Sequence, residues 1–275
     1  MRNTFLFSVD LEDVRSLVPG GERYEERVPE NTERLLSFLV EHDTRCTFFT
    51  TGDVARRYPE LLAQIARAGH EIACHTSDHV PLDRQTPESL RADVLRCQED
   101  YERAGVPRAV GFRAPSGSLV ASTAWAYDVL GELGFEYSAS VLAARNPLYG
   151  WPDFGPDQPC LRGKLVEIPA SLSHLPGLNV PFMSGVYLRV LPFPLVRLLF
   201  RRRLRGRTPV ASYLHPFDVD SGDERFPFPG LNPFFGTLMY RNRDRVFDRL
   251  HSIFAEGARV ETYREYARRF RGARA

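Results

Sequence analysis

The chain has 275 residues, of which 43% are hydrophobic and 26% charged, with a formal net charge of +1. Length and mixture fit one large α/β domain, leave no room for extensive disorder away from the ends, and give no reason to expect a nucleic-acid partner. The four cysteines, Cys46, Cys74, Cys97 and Cys160, have no paired spacing, so separate thiols are expected rather than a disulfide frame or a zinc knuckle.

In chain order, Phe5–Val9 reads as a strand running into the acidic cluster Asp10-Leu11-Glu12-Asp13. No basic leader or long apolar segment precedes it, so a cytoplasmic protein is expected. Asn31–His42 has helical spacing, and Arg45–Thr50 reads as a strand. Val54–Ala68 reads as one helix closed by Gly69. Glu71–Cys74 is a short strand that delivers His75. Thr86 as N-cap and Pro87 at the first helical position start a helix to about Ala104. Ala109–Phe112 is a strand delivering Arg113, Ser122–Leu133 a helix, and Phe135–Ser138, Leu165–Ile168 and Val210–Leu214 further strands. This alternation predicts a largely parallel sheet, open or closed into a barrel, with a site at the carboxyl ends of its strands. From Asn146 to Pro192 the pattern dissolves into proline, glycine and aromatic residues. These read as loops over the mouth of the sheet, where Tyr149 and Trp151 either pack or stack on a sugar ring.

His75 and His79 stand four apart, a spacing that sets two imidazoles on one side of a helical turn around a single metal ion. A carboxylate from elsewhere in the chain would complete a two-histidine, one-carboxylate site with an open position, the arrangement used for hydrolysis. Each residue alone has a plainer reading. Asp10 and Asp13 could cap a turn, Arg113 could form a buried ion pair, and His215 could be a core histidine. Taken together, and in this order, one active site is the simpler account.

The runs Phe48-Phe49-Thr50-Thr51-Gly52, Tyr58-Pro59-Glu60, Ala68-Gly69-His70-Glu71-Ile72, Gly111-Phe112-Arg113-Ala114-Pro115-Ser116 and Ser212-Tyr213-Leu214-His215-Pro216 resemble the polysaccharide deacetylases of carbohydrate esterase family four. That family includes chitin, chitooligosaccharide and peptidoglycan deacetylases, and the details look most like a bacterial branch tied to exopolysaccharide clusters. The resemblance covers about residues 4–220, with 221–275 completing a single domain. It implies a distorted (β/α) barrel, one divalent metal, and hydrolysis of an N-acetyl group from an amino sugar. Residue by residue, His75 and His79 match the histidine ligands, and Asp10 matches the base. Arg113 matches the arginine that orients the base, and His215 the acid that protonates the leaving amine. For the third ligand Asp13 is the choice and Glu12 the reserve. Zinc suits these ligands, although cobalt, nickel, iron or manganese could occupy them.

Three departures from the family pattern carry expectations. Leu11 and Glu12 separate two aspartates that are commonly adjacent, so the loop must bulge to bring Asp13 to the metal. Ser116 stands where an aromatic is usual, giving the substrate groove a different shape. Tyr137-Ser138-Ala139-Ser140 lacks the aspartate that tunes the acid, leaving His215 without an evident carboxylate partner. Separately, Leu191–Phe200 runs into arginines at 201–207. A packed helix whose basic end complements its dipole is preferred there, with peripheral contact with an anionic membrane face as the alternative.

The reading is therefore a metal-dependent N-deacetylase acting on a glycan, a lipid-linked sugar or a nucleotide-linked sugar. Its rivals are a hydrolase of a non-sugar C–N bond, such as a ureide or cyclic imide, and a silent glycan-binding module.

Overall fold

A computed structural model describes residues 3–146, 148–177, 179–222, 224–226 and 233–273, without the side chains of 233–235. Pro147 of the expected mouth loops, and residues 227–232 of the carboxyl-terminal segment, lie outside the described residues. The strands are β1 (Thr4–Leu6), β2 (Ser8–Leu11), β3 (Thr47–Thr50), β4 (Glu71–Cys74), β5 (Gly111–Phe112), β6 (Tyr137–Ser138), β7 (Cys160–Arg162), β8 (Leu165–Glu167), β9 (Val210–Ala211) and β10 (Arg259–Val260). The helices are α1 (Val28–Glu41), α2 (Gly52–Arg57), α3 (Pro59–Arg67), α4 (Pro87–Arg103), α5 (Ala126–Glu132), α6 (Gly185–Val190), α7 (Phe193–Leu204), α8 (Pro233–Leu238), α9 (Val246–Phe254) and α10 (Tyr263–Gly272).

A seven-stranded sheet runs in the order β2-β3-β4-β5-β6-β8-β7, and a three-stranded sheet in the order β10-β1-β9. All pairs are parallel except β7 with β8. Because β1 and β2 are consecutive along one extended stretch, that stretch joins the two sheets. Leu214 bridges to Val9 beyond β9, extending the neighbour of the first strand toward its carboxyl end. At the far side Ser171, just past β8, accepts a hydrogen bond from Ala211 N–H at 2.8 Å. The sheet thus curls back on itself, as the expected distorted barrel requires. Strands β2, β3 and β4 are buried on both faces, which is why they read as apolar runs rather than as alternating ones.

The helix expected over Val54–Ala68 is two helices, α2 and α3. Pro59 disfavours helical backbone at Tyr58, which sits at φ −134 and ψ 58, and opens α3 as its first residue. At the carboxyl terminus, β10 adds to β1 and α10 packs on the amino ends of the strands. The Tyr263 N–H donates to Thr47 Oγ1 and the Arg264 N–H to Glu71 Oε2, the first residues of β3 and β4. Tyr263 and Tyr266 then join Leu6, Phe49, Ala73, Tyr137 and Val166 in a buried cluster. One end of the barrel is closed by this helix, and the other carries the polar residues described below.

The α7 segment packs, with Val196, Leu199, Phe200 and Leu204 buried and Phe200 edge-on to Phe5. Arg197 and Arg201 pair with Glu256, and Arg203 with Asp157. Among the described residues no helix is long and apolar enough to cross a membrane.

One glycine connects the barrel to the loop after β4. The N–H groups of Gly52 and Asp53, which the start of α2 leaves without helical partners, donate to the carbonyls of Thr76 and Ser77 at 3.0 Å each. A β-carbon at Gly52 would lie 2.8 Å from Asp100 Oδ2, 2.9 Å from Ser77 Oγ and 3.0 Å from Ser77 Cα. Gly52→Ala should therefore displace this loop and cost about 1–3 kcal/mol of stability, through overpacking against backbone. Urea unfolding tests this; an unchanged midpoint would show that the loop yields freely.

Candidate active site

Asp10 and Glu12 lie at the end of β2, His75 follows β4, Arg113 follows β5 and His215 follows the extension of β9. All five are thus delivered to the carboxyl end of a parallel sheet, where diverging loops leave a cavity. Strand alternation sets Asp10 and Glu12, two apart, on one face, while Leu11 between them enters the apolar core.

The cluster forms around Glu12. Its Oε2 lies 2.6 Å from His79 Nε2 and 3.4 Å from His75 Nε2, and its Oε1 lies 3.6 Å from His215 Nε2. Burial alone would raise the Glu12 carboxyl. The His79 charge, the contacts with His75 and His79, and His215 beyond them hold it well below the ordinary carboxylate range. Glu12 Oε2 is buried without an aligned hydrogen-bond donor, despite its short approach to His79. On the opposite side of its ring, His75 Nδ1 sits 2.9 Å from the carbonyl of Arg113, which fixes the proton there and leaves Nε2 as a lone pair facing the cluster. Two imidazoles and an orphaned carboxylate oxygen converging in this way fit a divalent transition metal.

Asp13 is elsewhere, contrary to the expectation that it is the third ligand. It caps the turn Val14–Leu17 by accepting from the Arg15 N–H at 3.0 Å. It also receives the Arg15 guanidinium at 2.6 Å and Arg57 at 2.8 Å. Burial would raise its carboxyl, but the hydrogen bonds from Arg15 and Arg57 lower it. With both oxygens engaged by arginines, Asp13 has none to offer the histidines. No bulge is needed, because Glu12 has the longer side chain and already stands on the correct face.

The two histidines do not share a helical turn. Residues 75–79 form a loop with Thr76 at φ 63 and His79 at φ 54, both in the left-handed region. For a β-branched residue such as Thr76 this backbone is costly, about 1–3 kcal/mol, and it persists only where the surroundings enforce it. Here they do: besides the clasp from α2, the Ser77 N–H donates to Asp93 and the His79 N–H to the Thr76 hydroxyl.

Asp10 is paired with Arg113 through a short contact between Oδ1 and Nη1. Arg113 is buried, donates to Ser8 Oγ at 3.0 Å and to the Ala139 carbonyl at 2.9 Å, and lies 3.8 Å over the Phe49 ring. Its charge is fully paired and its plane is fixed, so Asp10 has little freedom to turn.

His215 has a carboxylate partner after all. Asp218, three residues on, takes the His215 N–H at 2.8 Å and lies 3.1 Å from Nδ1. Burial alone would lower the imidazole, but the Asp218 hydrogen bond and the charges of Glu12, Asp218 and Asp10 raise it to about 9. Behind Asp218 stands Arg189, wholly buried, with Nε at 3.0 Å. Burial would raise the Asp218 carboxyl, yet Arg189 and His215 lower it to about 2. The pairing depends on Gly185, where a β-carbon would fall 1.8 Å from Asp218 Oδ2. The sequence signal was the run His215-Pro216-Phe217-Asp218, a proline-initiated turn with an acid at the capping-box position. The stretch 137–140 serves Arg113 and the loop after β5 instead, through the Ala139 carbonyl and the Ser140 hydroxyl.

The expected substrate contacts are placed unequally. Ser116 is exposed at φ 55 in the turn after β5. Tyr149 donates its hydroxyl to Asp83 at 2.9 Å, tying its loop to the chain just past His79. Trp151 meets Phe154 edge-on at 5.1 Å and packs against the main core, which takes up ring surface that stacking would need.

Residues 22–138 match the polysaccharide deacetylase family, and residues 139–267 match a domain family of unknown function, DUF3473. The cluster draws on both: His75, His79 and Arg113 lie in the first stretch, Arg189, His215 and Asp218 in the second, and Asp10 and Glu12 precede them. A peptidoglycan-N-acetylglucosamine deacetylase of Bacillus cereus is 33% identical over 91 residues, which is 33% of this chain and 42% of that protein. A chitooligosaccharide deacetylase of a Bradyrhizobium species is 34% identical over 101 residues, covering 36% and 43% respectively. The chain thus spans less than half the length of these relatives. A Mycobacterium smegmatis structure described as a polysaccharide deacetylase shares the fold, with a TM-score of 0.69 at 20% identity over 99% of this chain and 92% of its own. The chain thus carries a match to the polysaccharide deacetylase family over residues 22–138 and shares its fold, along its length, with a structure of that description.

Proposed function

We propose that this protein is a metal-dependent hydrolase that removes an N-acetyl group from an amino sugar. The observation that carries the reading is the placement of a paired carboxylate, Asp10, and an imidazole backed by a carboxylate, His215, around one buried carboxylate–imidazole cluster. A divalent cation held by Glu12, His75 and His79 would supply Lewis-acid activation of water and of the amide carbonyl. Asp10, oriented by Arg113, accepts a proton from the attacking water. His215 stands 4.0 Å from Asp10 Oδ2 on the open side of the cluster and, held protonated by Asp218, donates to the departing amine. Arg189 acts one step further back, as the positioning residue for Asp218.

Amide hydrolysis needs both an activated nucleophile and protonation of nitrogen, and a binding module needs neither. That distinction favours an enzyme over a silent glycan-binding role. The names of the matched relatives support an N-acetylated glycan as substrate, and a lipid-linked or nucleotide-linked sugar in surface-polysaccharide assembly is the narrower proposal. Tyr149, anchored beside the histidine loop, and Ser116, exposed beside Arg113, are the proposed wall of the sugar site; Trp151 is not retained.

Acetate release from free, oligomeric, lipid-linked and nucleotide-linked N-acetylated sugars tests the activity, with the metal stripped and restored. Metal-dependent release is expected, and Asp10→Asn should keep the metal while turnover falls by roughly 10²–10⁴-fold. Release from none of the sugars by fully loaded protein would move the assignment to another C–N bond.

Metal content separates the two carboxylates. Glu12→Ala should lose the ion, whereas Asp13→Asn should retain it and lose about 1–3 kcal/mol of stability as Arg15 is left underpaired. The opposite pattern would restore Asp13 as the ligand.

The pH profile reports His215. Its folded-state acid form is complete at neutral pH and is lost as pH rises through about 9, so activity should fall on the alkaline side at or below that value, since a cation on Glu12 cancels part of the upward shift. Asp218→Asn removes one raising charge and should move this limb to lower pH by about one unit. An unmoved limb would show that another group sets it.

A further inference from the structure

Among the described residues, a second cluster of metal-ligating side chains lies outside the site described above, where the end of α1 meets α9. His42 Nε2 faces His251 Nδ1 at 2.9 Å, and Glu41 Oε1 is 3.9 Å from the same His251 nitrogen. The three ligand atoms lie within 4.8 Å of one another. We propose that Glu41, His42 and His251 form a second divalent-metal site, selective for zinc-like ions, that clamps α1 to α9.

Geometry favours this over chance proximity. Two imidazole nitrogens bound to one tetrahedral zinc stand ~3.3 Å apart, given Zn–N bonds of about 2.0–2.1 Å. The observed pair needs to open by only about 0.4 Å to reach that spacing. Two nitrogens in contact cannot both carry hydrogens on their facing atoms, so at least one lone pair already points at the other ring. The rings are also held in place. Phe38 packs on His42 at 4.5 Å and on His251 at 5.0 Å, and Phe254 packs on His42 at 4.9 Å. A ligand fixed before binding gives up little freedom when the ion arrives.

The backbone adds a field of the right sign. His42 is the C-cap of α1, and His251 lies in the last turn of α9. Two helices thus bring their partially negative carboxyl ends to one point, which favours a cation. Glu41 is exposed and can swing inward, while His42 and His251 are partly buried. This arrangement of three protein ligands is more exposed than the Glu12, His75 and His79 cluster. Its expected affinity is correspondingly weaker. The site would also join the two halves of the chain, since α1 falls in the first family-matched stretch and α9 in the second.

The test uses the full chain, free of tag and metal, dialysed against zinc alone. His75→Ala combined with His79→Ala removes the first site, and this double variant should still hold about one zinc per chain. Adding His251→Ala, or separately His42→Ala, should abolish that binding. Zinc should raise the melting temperature of the double variant by several degrees and leave the triple variants unmoved. Melting without zinc shows whether each variant is folded, and both histidines are accessible enough for truncation to be tolerated. If the double variant holds no zinc at a hundred micromolar, or if the triple variants hold as much as the double, the site does not exist.

Discussion

The ion pair between Asp10 and Arg113 is the contact around which the rest is arranged. Both groups are buried at the carboxyl end of the barrel, where an unpaired charge would be severely penalised. Arg113 satisfies itself along a line of interior partners: Asp10, the Ser8 hydroxyl, the Ala139 carbonyl and the face of Phe49. That line crosses from β2 through β3 to the segment after β6, so the pair ties together strands distant in sequence. Removing either partner would leave the other charged and buried, a loss of about 3–5 kcal/mol before any chemistry is considered.

The same residue connects the pair to the histidines. The Arg113 carbonyl accepts the Nδ1 proton of His75 and thereby sets which nitrogen faces Glu12. Its side chain orients the proposed base, while its backbone orients one proposed ligand. The strained loop carrying His79 is held by α2 and Asp93, and behind these lies a lattice of arginine contacts, with Arg56 and Arg96 both reaching the Ser77 hydroxyl. Strain at Thr76 and His79 thus persists because several independent elements oppose its relaxation.

The surroundings of the proposed acid follow the same pattern of an ionised side chain backed by an opposite charge. His215 leans on Asp218, Asp218 leans on Arg189, and Arg189 Nη1 donates in turn to the carbonyls of Met239 and Arg241. This chain of partners lies entirely in the second family-matched stretch, whereas Asp10, the proposed base, and Arg113 come from the ends of β2 and β5. Neither half of the chain assembles the constellation alone; the cluster exists only in the barrel that both halves build.

Much of this was legible from residues in order. Alternating apolar runs and caps located β4, α4 and most of the other elements, because burial on both faces and the preferences of Thr86 and Pro87 are local properties. The motif order placed Asp10, His75, His79, Arg113 and His215 together, since each lies at or past the end of a strand and parallel strands end on one side. Direction within the loops was not legible. Glu12 rather than Asp13 faces the histidines because Arg15 and Arg57 claim Asp13, and Arg57 arrives from a helix 44 residues away in sequence. Asp218 reaches His215 because Gly185, distant in sequence, leaves room for its carboxylate. The sequence determined which chemical groups the barrel presents; the tertiary structure decided which of them meet, because charge pairing and close backbone approach are settled only between segments that the chain does not hold side by side.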